Sequence, residues 1–195
     1  MQRIYDLMSR RILVALLAAT AFLQAGSLRA DALDGVLEVR SAYVNVDGGV
    51  FLLHARVEYP DNPAIRDALR DGITLTFDLD TRVERERRFW FDAEVVALTL
   101  RRELAYHAVS ERYVIRDARS GDLQSFPTLE EALKQLGTVD GWPILVEPQL
   151  DGGQYHVSVR AGVRRGKLPS SLRALMFWTD DWHRTSEWYS WSLPV

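Results

Sequence analysis

The chain contains no cysteine among its 195 residues. This absence excludes disulfides, thiolate zinc sites and cysteine nucleophiles, and it leaves the redox compartment open. Lysine is nearly absent as well, since Lys134 and Lys167 are the only ones. The remaining basic residues are arginines, which we interpret as a compositional bias and not as phosphate recognition. With a formal net charge of −3, the chain shows no basic footprint for nucleic acid or anionic lipid.

The sequence also lacks the local motifs of common catalytic centres. There is no Gly-x-Ser-x-Gly, no His-Glu-x-x-His and no glycine-rich phosphate loop. Asp78 and Asp80 share one side of a predicted strand, but a solvent-facing strand gives both carboxyls the same environment, whereas acid–base pairs need different ones. Asp180, Asp181 and His183 have no spacing that fixes a ligand geometry, and we interpret them as an acidic turn before a terminal strand. We therefore expect no catalytic residue, metal or cofactor, and a protein that is not an enzyme.

The N-terminus indicates export. Three arginines precede an apolar run at residues 12–23, and Ala-Asp-Ala at residues 30–32 supplies the small residues that signal peptidase recognises. The run is short for a membrane span, which needs about 20 residues. We predict a signal peptide over residues 1–32, cleaved near its end, and one periplasmic domain over residues 33–195. An uncleaved inner-membrane anchor is the alternative.

Alternation of apolar and polar residues predicts several strands. It is clearest in FLLHARVEY, residues 51–59, where every odd position is apolar. His54 takes the polar side of this strand, and we expect it to be exposed. Asp47-Gly48-Gly49 predicts a tight hairpin before it, and Asp-Gly-Gly at residues 151–153 predicts a second one. The same alternation predicts strands at residues 36–46, 73–84, 96–106 and 155–163.

Two short helices interrupt the strands. Asn62 and Pro63 open NPAIRDALRDG, and Thr128 caps TLEEALKQLG, which ends at Gly137. No linker, repeat or composition shift divides residues 33–195. We therefore predict one mostly β domain, an antiparallel β-sandwich with two short connecting helices.

Aromatic residues suggest where a partner binds. The chain has six Trp, seven Tyr and seven Phe. In SEWYSWSL, parity places Tyr189, Trp191 and Leu193 on the core side and leaves Trp188 on the serine-rich side. Trp90 is the middle of three consecutive aromatic residues, which cannot all face one side of a strand. Trp188 and Trp90 are therefore our candidate partner-binding surface, with packing roles as the alternative.

Several segments together resemble a known family. They are RRFWFDAEV, LAYHAVSERYVI, SFPTLEEALKQL, KLPSSLRAL and the pattern W-x(5)-W-x(2)-W at Trp182, Trp188 and Trp191. In this order they resemble a proteobacterial exported family, the domain of unknown function 4390, over nearly all of the predicted mature chain. The resemblance implies an envelope protein of a Gram-negative bacterium and implies no activity. It also associates the chain with genes for a membrane sensor kinase of the nitrogen-regulation type.

These observations lead to one expected function and two alternatives. We expect a non-catalytic periplasmic protein that acts as an interaction module of the bacterial envelope and binds an envelope protein partner. The first alternative is an accessory subunit of a membrane sensor kinase of the nitrogen-regulation type. The second, from another class, is an envelope hydrolase or a sugar-binding protein.

Overall fold

The computed structural model describes residues 33–87, 92–150, 152–166 and 183–193. They belong to one compact unit, Ala32–Val195. The predicted signal peptide lies outside the described residues, and so do Trp90, Asp180 and Asp181.

Within the described residues the protein is mostly β, as the sequence predicts. The strands are β1 Glu38–Asp47, β2 Val50–Glu58, β3 Leu75–Arg85, β4 Ala93–His107, β5 Arg112–Asp117, β6 Leu123–Phe126, β7 Thr138–Val146, β8 Tyr155–Arg165, β9 His183–Thr185 and β10 Tyr189–Leu193. The helices are α1 Pro63–Arg70 and α2 Leu129–Leu136, and a 3-10 turn covers Glu147–Gln149. All strand pairs are antiparallel.

The strands form two sheets that enclose the core. The smaller sheet has the order β1-β2-β7, and the larger has the order β10-β8-β3-β4-β5-β6 with β9 also paired to β8. Apolar side chains from both sheets fill the space between them. Leu53 of β2, Phe77 and Leu79 of β3 and Val157 of β8 are each 1% exposed or less. This arrangement is the antiparallel β-sandwich expected from the alternation pattern.

One predicted hairpin is confirmed and the other is wrong. Asp47 pairs with Val50, and the intervening Gly48 and Gly49 have φ of 55° and 79°, which a type I′ turn requires. The connection between β7 and β8 instead runs from the smaller sheet to the larger one. It is a crossover between sheets, because its flanking strands do not pair with each other.

Both predicted helices begin at the expected caps. The Asn62 side chain accepts a hydrogen bond from the Ile65 N–H at 2.8 Å, and the Thr128 hydroxyl accepts one from the Glu131 N–H at 3.2 Å. Each cap satisfies one of the N–H groups that a helix leaves unpaired at its start. Each helix then packs a short apolar face on the sandwich, which includes Ile65 of α1 at 0% exposure.

An arginine on the core side of β4 ties α2 to the larger sheet. Arg102 lies opposite Phe77 in the β3–β4 pairing. Its guanidinium donates to the carbonyl oxygens of Gln135 at 3.2 Å, of Thr138 at 3.3 Å and of Leu136. The last carbonyls of a helix have no partner within the helix, so Arg102 completes the C-terminal end of α2. Burial lowers the pKa of Arg102 from its ordinary value.

The C-terminal segment forms two short strands where the sequence predicts one. Ser186 separates them, because its N–H donates to the Ala161 carbonyl at 2.8 Å and its hydroxyl accepts from the Ala161 N–H at 3.0 Å. β10 follows as the outer strand of its sheet. Leu193 is buried, Trp191 is half-buried and Tyr189 is 38% exposed. The prediction that these three residues face the core is therefore correct for Leu193, partly correct for Trp191 and wrong for Tyr189. The reason is that the rest of the sandwich covers an outer strand only in part.

No helix among the described residues combines the length and the apolar character that crossing a membrane requires.

Candidate interaction site

The paired carboxylates of β3 are held by arginines. Asp78 accepts hydrogen bonds from Nε of Arg101 at 2.7 Å and from Nε of Arg164 at 3.1 Å. Asp80 accepts one from Arg160 at 3.2 Å. The hydrogen bond to Asp78 also raises the pKa of Arg101. These contacts make the carboxylates members of an ion-pair ladder across the outer side of the larger sheet.

His54 is fixed between two acceptors, contrary to the exposed position expected from its parity. Its side chain is 17% exposed. Nδ1 lies 2.6 Å from the Asp140 carboxylate and Nε2 lies 2.7 Å from the Asn45 side-chain oxygen, while the Tyr43 ring stacks on the imidazole at 4.7 Å. Both ring nitrogens are thus engaged. Across the described part of the chain, His, Asp and Glu form no group of three suited to a metal ion.

Trp188 is held by contacts within the chain. It is half-buried, and the guanidinium carbons of Arg160 and Arg82 lie 4.5 Å and 4.7 Å from the centre of its ring. Both distances are those of cation–π contacts. These contacts indicate that Trp188 packs against its own chain, although the serine-rich face around it predicts an exposed side chain. Its predicted companion, Trp90, lies outside the described residues.

The N-terminal half of β4 is an open sheet edge. On one side β4 pairs with β3 from Ala93 onward, but on the other side β5 covers it only from Arg102 onward. The Arg101 carbonyl already points to that second side, where it accepts from the Ala118 N–H at 3.0 Å. Backbone groups of an antiparallel strand alternate between its two sides. The N–H and C=O groups of Ala97 and Thr99 consequently point to the open side, where no described strand pairs with them.

This open edge is apolar and weakly guarded. Leu98 is 36% exposed, and Val95, Val96 and Leu100 are half-buried. Native edges usually carry Lys, Pro or inward-pointing charges that prevent pairing with another chain, and residues 95–100 contain none of these. One protective feature is present along this stretch: a bulge at Val95, which pairs with no residue of β3.

Three other outer strands of the sandwich are short or interrupted. The outer strands of the larger sheet, β6 and β10, span only 4 and 5 residues. β7, an outer strand of the smaller sheet, contains Gly141 and Pro143 and shows two register irregularities against β2. Proline and bulges are devices that blunt an edge. Among these edges, the β4 edge is the one best suited to accept another strand.

A cleft lies where β5 leaves β4. Its volume is about 330 Å³, and its walls are Thr99, Leu100, Arg101, Ala118, Arg119 and Trp142. Trp142 is 9% exposed, and its indole N–H is buried without an acceptor among the described residues. A chain lying along the open edge of β4 would therefore reach a recess with an apolar floor.

Asp117 determines where the open edge begins. Its carboxylate accepts hydrogen bonds from the N–H groups of Arg119 at 2.8 Å and Ser120 at 2.9 Å, which turns the chain away from β4. Burial acts to raise the pKa of Asp117, but these two bonds and the charges of Arg119 and Arg102 outweigh it and lower the pKa. The sequence carries a local signal for this turn, because Asp117 is followed by Ser120 and Gly121, whose φ is 78°.

Comparison with known proteins gives one match. A family model described as a domain of unknown function (DUF4390) matches residues 35–192. Neither the curated proteins nor the solved structures include a match to the chain. The matched residues contain the open edge of β4, the cleft and Trp188.

Proposed function

The chain belongs to the family of the domain of unknown function 4390, whose description assigns no activity, and we propose that it is a non-catalytic interaction module of the bacterial envelope. One observation carries the proposal. The open edge of β4 combines backbone groups at Ala97 and Thr99 that no described strand pairs with, and exposed or half-buried apolar side chains around Leu98.

The physical chemistry of such an edge favours strand addition. The outward N–H and C=O groups provide affinity through backbone hydrogen bonds, and alternate side chains provide selectivity. Leu98 and Leu100 lie on one side of the strand and Ala97 and Thr99 on the other. The cleft next to Leu100 adds room for an anchoring side chain.

The proposed location in the periplasm rests on the N-terminal sequence and fits the start of the folded domain. Leu33, the residue after the predicted signal peptide, is 0% exposed, and its carbonyl accepts a hydrogen bond from Arg184 at 2.5 Å. Cleavage before Leu33 would keep this contact. N-terminal sequencing of the exported protein should start near Asp31 or Leu33, and an intact Met1 in the membrane fraction would instead indicate an anchor.

Photo-crosslinking in intact cells tests the interaction surface. A photoreactive residue replaces Leu98 in one variant and Val109 in the other, each in the full chain expressed in its own host. Val109 is 93% exposed and lies between β4 and β5, so it controls for accessibility.

We expect a discrete covalent adduct from position 98 and none from position 109. Mass spectrometry of the adduct identifies the partner, and an adduct with a sensor kinase would support the kinase alternative. The absence of any adduct at position 98, or the same adducts at both positions, would contradict the proposed function.

A further inference from the structure

We propose that the strand accepted by the β4 edge is β4 of a second copy of the same chain, paired antiparallel about a two-fold axis at Leu98. The inference rests on the proposed function, since it names the occupant of the same edge. Three features of the edge favour a second copy over an unrelated strand.

The first feature is the match in length and direction. The open stretch is bounded by the bulge at Val95 and by the contact of Ala118 with Arg101, which leaves residues 96–100 between them. An antiparallel pair centred on Leu98 uses these same residues in both copies. The bulge bends each strand away at the point where it would otherwise meet Ala118 of the other copy.

The second feature is the agreement of the backbone groups. With Leu98 opposite Leu98, Ala97 of each copy lies opposite Thr99 of the other. These are the two residues whose N–H and C=O groups point outward, so the register forms about four hydrogen bonds between the copies. A register shifted by one residue would place these outward N–H and C=O groups opposite residues whose backbone groups point to β3. It would also put core-facing side chains of one copy opposite outer-facing side chains of the other.

The same register joins the apolar side chains. Leu98 meets Leu98, and Val96 of each copy meets Leu100 of the other, all on the side of the sheet that faces the core. Directly opposed side chains in an antiparallel pair lie about 4.5–5.5 Å apart at Cβ. The pairing therefore removes the exposed Leu98 from water and continues the apolar row of β4 into the second copy.

The third feature is charge complementarity at the ends. Glu94 precedes the pairing stretch and Arg101 follows it, and both are exposed on the outer side of the sheet. Antiparallel pairing brings Glu94 of one copy to the end that carries Arg101 of the other. A parallel arrangement would bring like charges together, which destabilises opposed strands.

Cysteine crosslinking tests the register directly, because the chain contains no cysteine. Leu98→Cys places one thiol from each copy on the two-fold axis. Residues opposed in a non-hydrogen-bonded pair have Cα atoms about 4.5 Å apart, which lies within the range of about 4.4–6.8 Å that a disulfide requires. Mild oxidation of the exported protein should give a disulfide-linked dimer.

Two further cysteine variants serve as controls. Val109→Cys is more exposed than position 98 but lies away from the axis, and Ala97→Cys lies opposite Thr99 and not opposite itself. We expect disulfide formation at least 10-fold faster for Leu98→Cys than for either control. Equal rates for the three variants would overturn the inference.

Sedimentation of the unmodified protein provides an independent measurement. We expect a concentration-dependent dimer that Ala97→Pro weakens at least 10-fold. The Ala97 N–H points away from β3, so proline at this position removes a donor to the second copy and leaves the β3 pairing intact. A monomer at all concentrations, or a dimer that Ala97→Pro leaves unchanged with folding confirmed by circular dichroism, would overturn the inference.

The photo-crosslinking experiment separates this inference from the proposed function. An adduct at position 98 with the mass of two copies supports both. An adduct with a different protein and no dimer leaves the proposed function standing and overturns the second copy as occupant. No adduct at position 98 contradicts both.

Discussion

Replacing Arg102 by methionine tests whether one guanidinium group holds α2 on the larger sheet. Methionine has a similar length and no donor. The change removes the hydrogen bonds to the carbonyl oxygens of Gln135, Leu136 and Thr138. The Gln135 and Leu136 oxygens lie at the C-terminal end of α2, where a helix leaves its last carbonyls without partners of its own, and Thr138 is the first residue of β7.

The expected loss combines two destabilising contributions with one that opposes them. A hydrogen bond to a charged group contributes about 1.5–3 kcal/mol, and a buried acceptor left without a partner costs about 1–3 kcal/mol. Removing the half-buried charge of Arg102 returns part of its desolvation penalty. We therefore expect the free energy of unfolding to fall by about 3 kcal/mol, near the lower limit for breaking a buried polar contact from one side. For a domain of this size, this corresponds to a Tm lower by about 6–12 °C.

Thermal and urea unfolding of two matched variants measure the effect. Arg116→Met is the control, because Arg116 is 44% exposed and pairs with Glu103 at 2.5 Å, and exposed ion pairs contribute about 1 kcal/mol or less. Arg102→Lys should give an intermediate loss, since it keeps the charge but lacks the planar fork. Equal losses for Arg102→Met and Arg116→Met, or a loss below about 1 kcal/mol for Arg102→Met, would refute the reasoning.

Three further predictions address the core and the C-terminal strand. Gly137→Ala would place a Cβ atom 2.0 Å from a backbone carbonyl oxygen of β2, and we expect it to lower the free energy of unfolding in urea by about 2–3 kcal/mol. Gly152→Ala is the control, because a Cβ atom there meets nothing within 4 Å, and it should change the free energy of unfolding by less than about 1 kcal/mol. Burial raises the pKa of Tyr59 above its ordinary value. The contribution of Tyr59 to the free energy of unfolding is therefore fully present below the unfolded-state pKa of about 10 and falls as the pH rises above it. Tyr59→Phe should reduce this loss of stability at alkaline pH, as measured by thermal melts recorded at pH values below and above about 10. Trp188→Ala should lower stability by about 1–2 kcal/mol through two cation–π contacts, and Trp191→Ala by about 2–3 kcal/mol through a half-buried aromatic ring. A larger loss at Trp188 would contradict the assignment of Trp191 to the core side.

Local patterns were sufficient to predict the strands and helices that obey one rule along their length. β2 alternates without interruption, so its buried residues could be read from the sequence. The caps at Asn62 and Thr128 are local too, because the capping side chain and the N–H that it accepts are three residues apart. Such features need no knowledge of the rest of the chain.

Other elements depend on contacts that sequence patterns do not contain. Alternation does not predict β7, where Gly141 and Pro143 interrupt the pattern, and the structure accommodates them with irregular pairing to β2. Arg102 interrupts an apolar alternation, and the carbonyls that explain it come from residues 135–138. The alternation pattern predicts which side of its strand Trp188 occupies. It does not predict the contacts of Trp188 with Arg82 and Arg160, because these residues come from three separate segments of the chain.

The open edge is the clearest case of a site that β4 alone does not encode. In its C-terminal half, β4 is covered by β5 and places Leu104 in the core at 0% exposure. Its N-terminal half has the same apolar alternation, but among the described residues no strand covers it in this way. The difference arises at Asp117, whose carboxylate ends β5 by accepting the N–H groups of Arg119 and Ser120. If β5 continued past this turn, it would pair with the same backbone groups that we assign to a second copy. The turn at Asp117 therefore leaves that half of β4 open, and the proposed interaction site depends on where a neighbouring strand stops as much as on the residues of β4 itself.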